Sequence, residues 1–502
     1  MRVLAWISLA FLLGSYICRP LADPDLWWHI TVGRWIVANK DVPVVDYWNA
    51  FGAGQPWRAY SWSNEVVYAL VDGLYGERGL LLAQMALAIT IALVMQYVFG
   101  ILAGDLFIGA LLGAYTTASF HAHFSLRPQS FVWILFILVI ALADATRRNA
   151  LTRGGMLGAL ALGCAWANSH LSAIMGLVTI LAWPVGIDAP RSIYKRVGIL
   201  AVCFLAGTLV SPYLGGEWFT LFEKSDHIGR FRAIDEFKPA TLLQHSTGML
   251  VLQGVLLIVL CFSSRCVPQT GALLLAGVWA LFGLGVVKFM PFASITASAL
   301  LAVWWRDRAV EREASEVEGS LEKGLLLVRS LCLRLHPQTL GALGFFMCCL
   351  AWVSAARSVK HPVNEVQVPK SSVAFIKDNG LQHPILGDMG LGGLLMYEWS
   401  SPAGVPEHLV AIDGRTNVNS EDVWRSVQKA LFGQEGWQEC IDRVRPQTIL
   451  WRNGSPFVAL LLESPHWCRV FRSGKSVQDV SVFVTREFFE NRRGAFQSID
   501  CS

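Results

Sequence analysis

Two carboxylates, two indoles and an imidazole are packed into the stretch Asp23-Pro24-Asp25-Leu26-Trp27-Trp28-His29. They follow directly on the first apolar segment, from Val3 to about Ile17, and so stand where a membrane-crossing helix would emerge into water. A carboxylate beside hydrocarbon loses hydration that lipid does not replace, so acids placed there are solvated, paired or used. Put to use, one of these two acids would take a proton from a hydroxyl as a general base. An ordinary reading of the same residues stays open, with Trp as a boundary anchor and Asp-Pro as a turn.

Other polar residues stand at the same ends of later apolar segments. His121, His123, Arg127, Pro128 and Gln129 share one loop, Asn168 and His170 a tight turn, and Lys288 precedes another apolar run. Arg127 and Lys288, and His29 with them, have the charge to neutralise a phosphate, whether a departing group or a lipid headgroup. Asn168 and His170 either join that site or satisfy helix ends. Glu65 falls in the first turn of a second surface helix expected from Ser63 to Leu74, where it would assist Asp25. Trp48, Trp57 and Trp62 are expected to be exposed, stacked on sugar faces or anchoring the loop.

These residues need a membrane scaffold, and composition supplies one. Of 502 residues 54% are hydrophobic and 16% charged, against about 25% charged in soluble domains. A net charge of +4 without a concentrated basic patch gives no nucleic-acid partner. The eleven Cys include no CxxC pair, so no structural metal is implied. The first segment reads as an uncleaved transmembrane helix. Apolar stretches fall at about 3–18, 79–101, 104–119, 130–145, 155–169, 171–187, 197–213, 247–263, 269–287, 291–305 and 341–356. About eleven transmembrane helices place the termini on opposite sides. Arg2, Arg147, Arg148, Arg153, Arg191, Lys195, Arg196, Arg265, Arg306 and Arg308 then share one side, the cytoplasm.

Residues 1–356 therefore form a transmembrane domain whose large loop, 19–78, faces outward and folds along the membrane, opening on an amphipathic surface helix. The acidic run after Arg306 reads as a solvated helix, followed by an interfacial one carrying Arg329 and Arg334. Residues 357–502 have the composition of a soluble α/β domain, also outside. Its expected helices are 373–376, 423–432 and 437–444; its expected strands are 384–387, 394–397, 409–412, 448–451, 468–471 and 480–485. Gly390-Leu391-Gly392-Gly393 and Asp413-Gly414-Arg415 match no phosphate-loop spacing and read as turns. Cys440 and Cys468 would be free to oxidise to each other there.

Nucleotide sugars and ATP are not supplied outside a bacterial membrane, so an activated donor on that side is carried by lipid. A polyprenyl-phosphate sugar fits a carboxylate base and a set of phosphate-holding cations.

A first transmembrane helix followed at once by an outward loop opening on Asp23-Pro24-Asp25 resembles the GT-C superfamily of integral-membrane glycosyltransferases. The likeness is nearest to the branch of lipid A aminoarabinose transferases and protein O-mannosyltransferases. That branch commonly has a second acid immediately after the catalytic one; here Leu26 stands there and the other acid comes two residues earlier. The chain also resembles a group of bacterial membrane proteins that share the Asp-x-Asp-x-Trp-Trp-His opening, Arg127-Pro128-Gln129, Trp166-Ala167-Asn168-Ser169-His170 and Asp413-Gly414-Arg415. The superfamily resemblance implies an inverting transfer to a glycan, lipid or protein acceptor at the outer face of the bacterial cytoplasmic membrane, with Asp25 as base. Some members use a divalent cation, for which Asp23, Asp25 and His29 would be the ligands. A transporter or flippase of a lipid-linked saccharide, or a non-catalytic assembly subunit, are the alternatives; the crowding of polar residues at outer ends and the lack of an internal repeat favour the enzyme.

Overall fold

The computed structural model describes residues 2–186, 189–216, 218–220, 235–264, 268–312, 320–415, 418–492, 494, 496 and 501. Charged residues that the sequence places after the apolar stretch 197–213, at 217, 224, 226, 230 and 232, lie outside the described residues, as do Arg265 and the acids at 313, 316 and 318. The chain divides into two compact units. One comprises Met1–Arg19, Leu81–Leu221 and Ile234–Lys360; the other comprises Pro20–Leu80, Phe222–Ala233 and His361–Ser502.

The first unit is helical, because its long apolar stretches leave backbone amides no partner in hydrocarbon except one another. Helices cover each of the eleven apolar stretches: Arg2–Ile17, Trp62–Ala103, Leu106–Ser119, Pro128–Arg148, Arg153–Ala167, Ala173–Ala182, Arg191–Thr208, His245–Ser264, Thr270–Gly285, Met290–Arg312 and Pro337–Lys360. Among the described residues, five are long and apolar enough to cross a membrane: Trp62–Ala103, Pro128–Arg148, His245–Phe262, Val287–Ala309 and Pro337–Lys360. Four further apolar helices are shorter. Trp62–Ala103 is interrupted at Gly76, whose φ of 59° and ψ of −152° are open to glycine alone at little cost.

Two groups of polar side chains stand out in this unit. Arg147, Arg148 and Arg306 all pair with the fully buried Asp144, Arg306 at 2.7 Å, and Arg306 also donates to the Leu102 carbonyl at 3.0 Å. Arg196 donates to the Asn149 carbonyl and Arg329 pairs with Asp105. The second group joins Arg127, Glu236, Lys288 and Gln129. Between them the helices interlock through Phe136, Trp279 and Phe292, with Trp279 stacked on Phe292 at 5.3 Å. After Arg306 the helix continues to Arg312, and a separate helix, Ser320–Leu333, carries Arg329.

The second unit is built on a four-stranded sheet in the order β1-β2-β4-β3, with β1 Ile385–Gly387, β2 Thr448–Arg452, β3 Trp467–Arg472 and β4 Val480–Thr485. β1 and β2 are parallel, joined by a crossover that holds the helices Met389–Glu398, Glu421–Phe432 and Gln438–Val444; the other pairings are antiparallel. Leu386, Trp424, Ile449, Trp451, Phe457 and Phe483 form its core. Two expected strands are absent. Residues 394–397 lie in the helix Met389–Glu398, and 409–412 contribute only an isolated bridge between Asn49 and Val410. A run buried on every side carries no period to tell helix from strand. The expected turn Gly390–Gly393 is instead helical, and a Cβ at Gly393 would lie 2.6 Å from the Pro24 carbonyl oxygen. Glycine there lets Met389–Glu398 pack closely on the helix Asp25–Asn39.

The expected disulfide is also different. Cys468 is bonded to Cys501, and Cys440 is a buried free thiol. Burial pushes the Cys440 thiol up to about 12, so it packs as a small apolar side chain.

Candidate functional site

Asp25 opens the helix Asp25–Asn39, and its backbone N–H donates to Asp23 Oδ1 at 2.9 Å. Asp23, just outside the N-cap Pro24, thereby satisfies the first free amide of the helix, and both acids gain from its positive end. Both are half-buried, whereas Leu26, Trp27, Trp28, His29 and Ile30 are buried. An amphipathic helix exposing its indoles is therefore not what forms here.

One turn into this helix, His29 Nδ1 lies 2.9 Å from Glu65 Oε1, and neither residue is more than 5% exposed. Glu65 sits in the first turn of Trp62–Ala103, as its position after Ser61 and Ser63 implies. The pair commits His29 Nδ1 to an acid rather than to a phosphate. Around it, Trp28 and Trp57 Nε1, Ser61 Oγ, Tyr68 OH and Glu65 Oε2 have no hydrogen-bond partner among the described residues. Buried polar groups are nearly always bonded, so five such atoms around one ion pair mark a place built to meet a polar ligand or water. No three His, Cys, Asp or Glu side chains are grouped to hold a metal among the described residues.

The same unit holds a buried ionic cluster that spacing does not reveal. Arg415 donates to Asp413 through Nε at 2.9 Å and Nη2 at 2.8 Å, and to Asp46 Oδ1 through Nη1 at 2.6 Å. All three are at most 3% exposed. Asn49 donates to Asp413 Oδ2 at 3.2 Å and to Asn419 Oδ1 at 2.8 Å. Burial opposes ionisation of Asp413, but Arg415 beside it holds its carboxyl below the usual range. Trp57 and Trp48 flank the guanidinium at 4.8 and 5.6 Å. Trp48 and Trp57 are thus buried walls of this cluster, not exposed sugar platforms, and Trp62 is half-buried. Asp413-Gly414-Arg415 is the turn expected, but it is anchored by a residue 369 positions away.

The remaining candidates belong to the first unit. Arg127 stands at the N-cap position of Pro128–Arg148 and pairs with Glu236; Lys288 Nζ lies 3.1 Å from the other oxygen of the same carboxylate and 4.9 Å from the Phe237 ring. Burial alone would raise Glu236, but Arg127 and Lys288 bring it down to about 2. An anion is therefore held between two cations. His123, half-buried and pushed by desolvation down to about 4, contacts Ser246 Oγ at 2.9 Å. Asn168 donates to the Cys164 and Val210 carbonyls at 2.8 and 2.7 Å, and His170 Nδ1 accepts from the Ser172 N–H at 3.1 Å. Those contacts close helix ends. The structure thus brings together Asp23 with Asp25, His29 with Glu65, and Arg127 with Lys288.

No family model and no curated relative matches the chain. Among solved structures, it is similar to ArnT from Cupriavidus metallidurans, both bound to undecaprenyl phosphate and in the apo state. Each has a TM-score of 0.50 and 16% identity, covering 96% of this chain and 97% of that one. It is also similar to the Archaeoglobus fulgidus oligosaccharyltransferase in the apo form, with a TM-score of 0.47 and 10% identity over 89% of this chain and 69% of that one. Apolar helices, the small C-terminal sheet and full-length correspondence with ArnT agree: this chain is a polytopic helical membrane protein with a GT-C-like fold.

Proposed function

We propose that the chain transfers a sugar from a polyprenyl-phosphate donor to a hydroxyl of a glycan, lipid or protein acceptor at the outer face of the bacterial cytoplasmic membrane. The observation that carries this reading is the acid pair Asp23 and Asp25 opening a helix beside a buried His29–Glu65 pair, on a fold shared with a structure that holds undecaprenyl phosphate. Asp25 takes the acceptor proton as the acceptor oxygen bonds to the anomeric carbon. The bond from that carbon to the phosphate oxygen breaks, its electrons stay on the phosphate, and polyprenyl phosphate leaves. Attack opposite the leaving group inverts the anomeric centre.

Arg127 and Lys288 hold the departing phosphate, replacing the Glu236 carboxylate they grip at rest. The cytoplasmic assignment of Arg147, Arg148, Arg196 and Arg306 rests on the positive-inside rule, and their gathering around Asp144 and Asn149 supports it. On that assignment the N-terminus is cytoplasmic and residues 357–502 are outside.

The test is purified protein in lipid nanodiscs with a panel of polyprenyl-phosphate pentoses and hexoses, following release of free polyprenyl phosphate. Wild type is expected to turn over at least one donor. Arg127→Ala is expected to raise the donor KM about tenfold or more, the effect of one lost charged hydrogen bond. Donor consumption that is the same with and without protein across the panel overturns the proposal.

A further inference from the structure

Gly414 has no side chain, and the space where one would begin is taken: a Cβ there would lie 2.3 Å from Asp25 Oδ1. The Asp25 carboxylate therefore rests directly against the backbone of the Asp413-Gly414-Arg415 turn. That turn has little freedom. Arg415 N–H donates to Asp413 Oδ1 at 2.8 Å, the guanidinium grips the same carboxylate through two nitrogens, and Asp46 fixes the third nitrogen. Asp46 is itself tied down, since Oδ2 accepts from the Asn49 N–H at 2.8 Å and its backbone pairs with Gln55 and Gly54.

A second observation points at the same face. The Trp28 indole N–H is 3.9 Å from the position of that absent Cβ, is buried, and has no hydrogen-bond partner among the described residues. A donor waiting beside a seated carboxylate is what a hydroxyl needs if it is to be held while it loses a proton.

We infer that Asp413, Gly414 and Arg415 are positioning residues: an ionic cluster fixes the turn, and the bare Gly414 backbone sets the rotamer of Asp25 for an acceptor hydroxyl shared with Trp28. This rests on the proposed role of Asp25 as base. It makes the C-terminal segment part of the site rather than an appendage. Glycine is required by contact and not by φ, so any side chain at 414 displaces the acid.

The test is Gly414→Ala in the full-length protein, with Gly387→Ala as a control whose new methyl, on β1, meets Leu395 of the helix Met389–Glu398 instead. Two readouts are used. Mass spectrometry of carbodiimide labelling measures how exposed the Asp25 carboxyl has become, independently of any sugar donor; it is expected to rise at least fivefold in Gly414→Ala while Asp46 and Asp413 stay protected. Polyprenyl-phosphate release is expected to lose about 100-fold in kcat at an unchanged donor KM, the scale of a base displaced by about 1 Å. Gly387→Ala should change neither. Wild-type labelling of Asp25 in Gly414→Ala, or equal increases in both variants, overturns the inference. If labelling shifts as expected and wild type moves no sugar, the seat stands and the transferase reading falls.

Discussion

Replacing Arg415 by Leu removes the only cation of a cluster in which Asp46, Asp413 and Arg415 are 1%, 0% and 3% exposed. Wild type holds one positive and two negative charges there, a net of −1; the variant holds two carboxylates and loses three charged hydrogen bonds of 2.6 to 2.9 Å. Breaking a buried ion pair by removing one partner costs about 3–5 kcal/mol, because the survivor is left uncompensated. For a cooperative unit of this size each kcal/mol moves Tm by roughly 2–4 °C, so a fall of about 10 °C is expected. Trp48 and Trp57 flank the guanidinium, so their fluorescence reports the transition in detergent. Arg425→Leu is the comparison: its pair with Glu421 leaves 62% and 66% of the side chains exposed, and such pairs contribute about 0–1 kcal/mol. Equal Tm losses in Arg415→Leu and Arg425→Leu would refute the reasoning.

His383 stacks on His408 at 3.6 Å, and burial followed by that neighbour pushes it down to about 4. The unfolded chain binds this proton first, so stability is full above about pH 6.5 and falls as pH drops toward 4; His383→Gln should flatten Tm across that window. Glu236, held near 2 by Arg127 and Lys288, stabilises above its ordinary value of 4.5 and loses that contribution as pH falls from 4.5 toward 2. On the proposed role of Arg127 and Lys288 a phosphate would compete with Glu236 for them, so Glu236→Gln should tighten binding of undecaprenyl phosphate in nanodiscs; a weaker Kd contradicts that. Cys501→Ser opens a loop of 33 residues and should cost about 3–4 kcal/mol, read as a lower Tm under non-reducing conditions. Intact mass of the membrane-extracted chain should show the Cys468–Cys501 bond, and a fully reduced chain would oppose an outward C-terminal domain.

The helical scaffold was legible because hydrophobic length is a local property: every apolar stretch from Arg2–Ile17 to Pro337–Lys360 is a helix. β2, β3 and β4 were legible for the same reason, being short apolar runs between turn residues. Met389–Glu398 was not, since Gly392 serves close packing on Ile412 and Asp413 and Gly393 on Pro24 and Trp28, and both look like loop residues in isolation. Of the candidate site, Asp23, Asp25 and Glu65 stood out because acids at an apolar boundary are costly. Asp46, Asp413 and Arg415 did not stand out as one group. Charge complementarity across 369 positions has no period, and Trp48 and Trp57 give no sign in sequence of whether they face water or a guanidinium. Cys468, on β3, likewise bonds to Cys501 and not to Cys440, a choice that spacing in the sequence does not carry.

The central claim is that a carboxylate opening the helix after the first apolar segment activates the acceptor. Its most direct test compares wild type with Asp25→Asn, at matched Tm and matched affinity for undecaprenyl phosphate, in single-turnover release of polyprenyl phosphate. A loss of about 10²- to 10⁴-fold with donor binding intact is the expected result; a rate within threefold of wild type would contradict it.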